Sequence, residues 1–154
     1  MPIISGSYGE CVNGKQEHWP VWFERTDAGR ALSKRPHSKN DCTVRALATV
    51  TGLSFDAAYN LLSLEGRESH RGFNFRKWAD SGPTVNGYRL TWIPFPAVKG
   101  KSRMNPAKFA ALYPHGRFIA RTAKHVFAIV DGVCYDQSSP SPARCIYGVW
   151  HATH

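Results

Sequence analysis

Three side chains of this 154-residue sequence have types and spacing that suit nucleophilic catalysis: Cys42, His125 and Asp136. The stretch Asn40-Asp41-Cys42-Thr43 runs directly into an apolar pattern. In it Val44, Leu47, Ala48 and Thr51 recur at the three- and four-residue steps of a helix with one buried face. Asp41 is the expected N-cap, its carboxylate accepting hydrogen bonds from first-turn amides. Cys42 then takes the first helical position. There the free N–H groups and the helix dipole favour a thiolate and should lower its pKa below the ~8.5 of a free cysteine.

The partners of such a thiol follow from a hairpin. Asp131-Gly132 is a two-residue turn of the type I′ kind, so Val130 faces Val133 and Phe127 faces Asp136. His125 lies two residues from Phe127 on the same face, which makes it a diagonal neighbour of Asp136, roughly 7 Å away at the backbone. A buried carboxylate is costly unless paired, and an imidazole is a suitable partner. Asp136 would fix the ring tautomer, and His125 would take the thiol proton. The bland alternative is a satisfied core histidine beside a loop-capping aspartate.

The elements that must position these groups read as helices first and strands afterwards, an α+β layout in a single domain spanning 1–154. Residues 1–35 read as an irregular N-terminal segment, with Trp19-Pro20-Val21-Trp22-Phe23 at most an edge strand because of Pro20. The part from 36 to 80 is helical. It holds a helix from Cys42 to about Val50 that stops at Gly52, a second after the cap Ser54, and a weaker turn over Phe73 to Ala79. The part from 81 to 154 is mainly β. Tyr88 to Ile93 is a strand, Asn105-Pro106 opens a short helix, and Gly116 to Thr122, Lys124 to Val130, Val133 to Gln137 and Cys145 to Trp150 are strands of an antiparallel sheet.

Composition narrows the class. Apolar residues make up 42% of the chain, enough for a packed core and too many for a disordered one. The start lacks a basic head followed by a long apolar run, and no apolar run could span a bilayer, so a cytoplasmic protein without membrane contact is expected. The four cysteines form no C-x-x-C pair and should be free thiols in a reducing compartment. A zinc site drawn from Cys134, Cys145 and nearby histidines lacks close ligand pairs, so no metal or cofactor is expected. The net charge of +9 is concentrated. Ser81 to Val130 holds Arg89, Lys99, Lys101, Arg103, Lys108, Arg117, Arg121 and Lys124 and no acid. That block could steer an acidic protein or nucleic acid, or form a solvated face.

The Asn-Asp-Cys helix start, followed by a strand His125-Val126-Phe127-Ala128-Ile129-Val130 and then Asp136, resembles the papain-like cysteine peptidase superfamily. Its C39-like members and small phage-encoded proteins with the same Asn-Asp-Cys start are the most similar in feel. The resemblance covers about residues 36–62 and 116–137. It implies a helix bearing the cysteine packed on an antiparallel sheet bearing the histidine and the acid, with Cys42, His125 and Asp136 as the triad. It also implies a host-cell cytoplasmic setting for a phage-encoded chain. The glutamine that such peptidases carry shortly before the cysteine has no counterpart by motif. Asn40, His37 or a folded-back Gln16 are the candidates for the oxyanion donor beside the Cys42 N–H.

Two readings follow. In one, the chain is a cysteine hydrolase, a peptidase or isopeptidase working through a thioester on Cys42, and transglutaminase or deamidase chemistry would use the same triad. In the other it is a non-catalytic papain-fold module that engages nucleic acid or an acidic host protein through its basic surface.

Overall fold

Helix α1 (Cys42–Thr51) forms where the apolar repeat predicts it, burying Val44, Ala46, Leu47, Ala48, Val50 and Thr51. It stops at Gly52, whose φ of 75° closes the helix in the left-handed region that glycine enters without a Cβ clash. Helix α2 (Phe55–Leu64) follows at once. The Ser54 hydroxyl caps it by accepting from the Ala57 N–H at 3.1 Å. Helix α3 (Phe75–Asp80) is capped in the same way by Asn74. The computed structural model of the chain describes residues 8–12, 15–18, 21–68 and 73–154.

Strands β1 (Tyr8–Val12) and β2 (Lys15–His18) pair with each other as a separate antiparallel sheet. The main sheet has seven strands: β3 (Phe23–Arg25), β4 (Thr84–Val85), β5 (Tyr88–Pro94), β6 (Arg117–Thr122), β7 (His125–Val130), β8 (Val133–Asp136) and β9 (Gly148–Thr153). Their spatial order is β3-β8-β7-β6-β9-β5-β4. Every neighbouring pair is antiparallel except β3 and β8, which are parallel. The architecture is therefore α+β with a mixed sheet.

The sheet differs from the sequence-based expectation in three ways. The segment before residue 36 is not wholly irregular. Phe23–Arg25 joins the sheet edge, where Cys134 N–H donates to the Trp22 carbonyl at 2.6 Å and Thr26 N–H to the Asp136 carbonyl at 2.8 Å. The long connection through the helices and most of the sheet lets this strand run parallel to β8, with Phe23 beside Cys134 and Arg25 beside Asp136. Trp19 and Pro20 lie outside the described residues. The last strand starts at Gly148 rather than Cys145 and inserts between β6 and β5.

Both faces of the sheet are covered, as the near-continuous apolar run of β7 requires. Val126 and Ala128 pack with α1, α2 and α3 in one core cluster, while Phe127 and Ile129 pack with Phe109 of α4 (Pro106–Leu112) in a second. Trp150 is fully buried and satisfies its indole by donating to Asp80 at 3.0 Å, and Trp92 lies against it with ring centroids 4.7 Å apart. These tryptophans serve packing. Gly148 gives Trp92 its room: an added Cβ would meet the Trp92 ring and come within 2.7 Å of the Ile93 carbonyl oxygen. Gly148→Ala is expected to cost about 1–3 kcal/mol by overpacking, read as a lowered urea midpoint at unchanged slope.

Candidate active site

The first turn of α1 sets Cys42 at the wall of an open cleft of about 1100 Å³, lined also by His125 and Val126 from β7 and Thr122 from the end of β6. The thiol is partly buried and is hydrogen-bonded by the His125 ring and the Val126 backbone N–H. Burial pushes the thiol pKa up. The two hydrogen bonds and the positive charges of His125 and Arg45 outweigh it, so the net shift is downward.

The hairpin has the expected register. Val130 pairs with Val133, Ile129 with Cys134 and Ala128 with Tyr135, around a turn in which Asp131 and Gly132 have φ of 48° and 78°. Continued by one residue, that register sets Asp136 opposite Phe127, diagonal to His125. The His125 Nε2 lies 2.6 Å from Asp136 Oδ2. With Nε2 so engaged, Nδ1 is the nitrogen left for the thiol. The bond to Asp136, then the bond to Cys42, raise the His125 pKa to about 9 against the desolvation that would lower it.

Behind the pair lies a charge network organised by Arg45, a residue that reasoning from sequence did not single out. Its Nε donates to Asp41 Oδ1 at 2.9 Å and its Nη1 to Asp136 Oδ1 at 2.6 Å. Arg30 adds a bond to Asp41 Oδ2 at 3.1 Å, and the Gln137 amide oxygen, turned toward it, accepts from Arg30. Asp41 and Asp136 are both buried. Burial alone would raise their pKa values, but the bonds from Arg45 and Arg30 to Asp41, and from His125, the Gln137 N–H and Arg45 to Asp136, hold both below the ordinary range.

The network corrects one expectation. Asp41 occupies the N-cap position of α1, yet its side chain makes no capping bond, because both carboxylate oxygens are taken by guanidinium groups. The first-turn amides therefore have no side-chain cap from Asp41, and by helix geometry they have no partner within the helix. The spacing Asp41 to Arg45, one helical turn, was the available signal for this pair.

Opposite pKa shifts within the pair give a pH prediction. His125, raised from 6.5 to about 9, contributes stability that is complete below 6.5 and fades as pH rises toward 9. Cys42, lowered, contributes stability that grows with pH up to the unfolded thiol value of ~8.5. The slopes oppose each other in this window. Cys42→Ser removes the rising contribution, so its unfolding free energy should fall with pH above 6.5, while the wild type stays flatter. Urea titrations at several pH values between about 6 and 9 check this, one uncompensated proton amounting to about 1.4 kcal/mol per pH unit.

The remaining candidates divide. Asn40 lines the cleft with φ of 53°, and its carbonyl accepts from Arg67 at 2.9 Å. His37 lines it as well. Gln16 falls in β2, and its side chain lies outside the described residues. Of the eight basic residues in the acid-free run, only Arg121 and Lys124 reach the cleft. Arg117 donates to the Val50 carbonyl at 3.1 Å, Arg103 faces Tyr147 5.6 Å from the ring centroid, and Lys108 bonds the Ser102 hydroxyl. Arg89, Lys99 and Lys101 also lie away from the cleft. One stretch of sequence thus spreads over several faces, and it does not form a single funnel. Lys39, Arg76 and Arg30 join the cleft from elsewhere in the chain.

Cys42, Cys134 and Cys145 are free thiols, and burial raises the Cys134 pKa strongly where that of Cys42 is lowered. Among the described residues no group of histidines, cysteines and acids is arranged to hold a metal ion, and no helix is long and apolar enough to cross a membrane. No family model, no curated protein and no solved structure matches this chain.

Proposed function

We propose that this chain is a cysteine-dependent acyl hydrolase of papain-like design, acting on a peptide, isopeptide or related amide. The observation that carries the proposal is the continuous chain of contacts Cys42–His125–Asp136, with the acid 2.6 Å from the ring and the thiol at the start of α1. A structural histidine would need its aspartate but not a thiol with a lowered pKa at its other nitrogen. The design is papain-like in placing the nucleophile on a helix and the base and acid on adjacent strands of a sheet packed against it.

The chemistry follows from the groups present. The Cys42 thiolate adds to the substrate carbonyl, and the developing oxyanion is held by the Cys42 N–H at the uncapped start of α1. The His125 imidazolium protonates the departing amine as the C–N bond breaks, leaving a thioester on Cys42. Water then adds with His125 as base, the C–S bond breaks, the acid leaves and the thiolate–imidazolium pair is restored. Asp136 keeps Nδ1 aimed at the thiol throughout and stabilises the charged ring.

Incubation with a mixed peptide pool, followed by mass spectrometry, tests this. New peptide ends and an acyl mass on the tryptic fragment carrying Cys42 are expected, both absent from Cys42→Ala. Peptide binding without any cleavage or acyl adduct would favour the alternative, a binding module on the same scaffold.

A further inference from the structure

Resting on that reading of the site, we infer that the substrate is an acidic peptide, with carboxylate side chains near the bond that Cys42 attacks. The charges inside the site cancel. Arg30, Arg45 and the His125 imidazolium are matched by Asp41, Asp136 and the Cys42 thiolate, all linked by the bonds described above. What the cleft presents to a ligand is therefore set by its rim.

That rim is basic on several walls. Lys39 comes from the loop before α1, Arg76 from α3, and Arg121 and Lys124 from β6 and the β6–β7 turn. Arg121 is half-buried and the other three are exposed. Arg76 shares the carboxylate of Asp80 at 3.5 Å, an exposed pair that a ligand can displace at little cost. Asp41 is the one acid among the described lining residues, and it is already committed to two arginines. A walled cleft with one sign of charge concentrates oppositely charged ligands and speeds their arrival.

The placement favours a peptide over nucleic acid. The cations ring the nucleophile, and most of the acid-free basic run lies away from the cleft, so the described residues form no continuous track for a phosphate backbone. Among the described lining residues Phe75 and Trp150 are buried in the core, which leaves Phe73 as the one partly accessible Phe, Tyr or Trp ring on which a base could stack.

Alkylation of Cys42 reads this charge without a known substrate. The thiolate displaces iodide from either iodoacetamide, which is neutral, or iodoacetate, which is an anion, and each rate is measured beside that of Cys145. The iodoacetate-to-iodoacetamide rate ratio at Cys42 should exceed that at Cys145 by about tenfold at low salt and shrink toward it as salt screens the rim. Lys39→Glu with Arg121→Glu should abolish the excess, and the ratio divides out any change in the reactivity of the thiol itself. A glutamate-rich peptide should protect Cys42 better than a single-stranded oligonucleotide of equal charge. Equal ratios at the two cysteines overturn the acidic-substrate inference, as does stronger protection by the oligonucleotide. Failure of Cys42 to outpace Cys145 with iodoacetamide alone would instead strike the activated-thiol reading beneath it.

Discussion

Replacing His125 with alanine is expected to lower the rate of any acyl transfer by Cys42 by about 10²–10⁴-fold, the usual worth of a positioned acid–base group. The reason is that His125 does two jobs at one atom. In the proposed mechanism its Nδ1 holds the thiolate as an ion pair, and the same atom later protonates the departing amine. Without the ring, the Cys42 thiol loses both the hydrogen bond and the charge that lower its pKa, while burial, which raises it, persists. The Val126 N–H and the charge of Arg45 remain, so the thiol should not become inert. Removal of a partly buried side chain at the start of β7 should leave the fold intact, because the adjoining Val126 to Ile129 are the buried residues of that strand. Turnover assays and circular dichroism on the same sample separate loss of chemistry from loss of fold.

Arg45→Met should have the largest effect on stability. The guanidinium forks between Asp41 and Asp136, residues of α1's start and of β8 that lie 95 positions apart in the chain, so one side chain ties the nucleophile's helix to the acid's strand. Methionine keeps the length and loses the charge, leaving two buried carboxylates each with one partner fewer. Breaking a buried pair in this way costs about 3–5 kcal/mol, and the lower end is expected here, since Arg30 still serves Asp41 and His125 still serves Asp136. Lysine should rescue only part of the loss, because a point charge cannot donate in two fixed directions as the planar fork does. Urea midpoints of the two variants measure this. The pH dependence of Cys42 alkylation adds a second readout, since a loosened Asp136 should let the His125 pKa fall from about 9.

Much of the site was legible because it depends on local geometry. The apolar repeat after Asp41 fixes where α1 starts, and a two-residue turn at Asp131-Gly132 leaves only one register for β7 and β8. From that register alone His125 and Asp136 must be neighbours. What stayed hidden depends on contacts between distant parts of the chain. Arg45 reads as an ordinary helix-surface residue until β8 brings Asp136 to it. Arg30 lies in a one-turn 3₁₀ helix with no periodic pattern to mark it. The parallel joining of β3 and the insertion of β9 beside β6 are sheet-level choices with no signature in a single strand. The charge count misled for a related reason: Arg117 and Arg121 sit on the same strand, yet one bonds the end of α1 and the other lines the cleft.

The central claim is that Cys42 is a thiolate held by His125 near neutral pH. The most direct test is its rate of alkylation by iodoacetamide across a pH series from about 5 to 10, in the wild type and in His125→Ala. An ion pair predicts fast labelling that has already reached a plateau near pH 7 and, in the variant, a curve moved to higher pH toward that of an ordinary thiol. Labelling of Cys42 that rises only near pH 8.5, as for a free cysteine, and is the same in both proteins would contradict it.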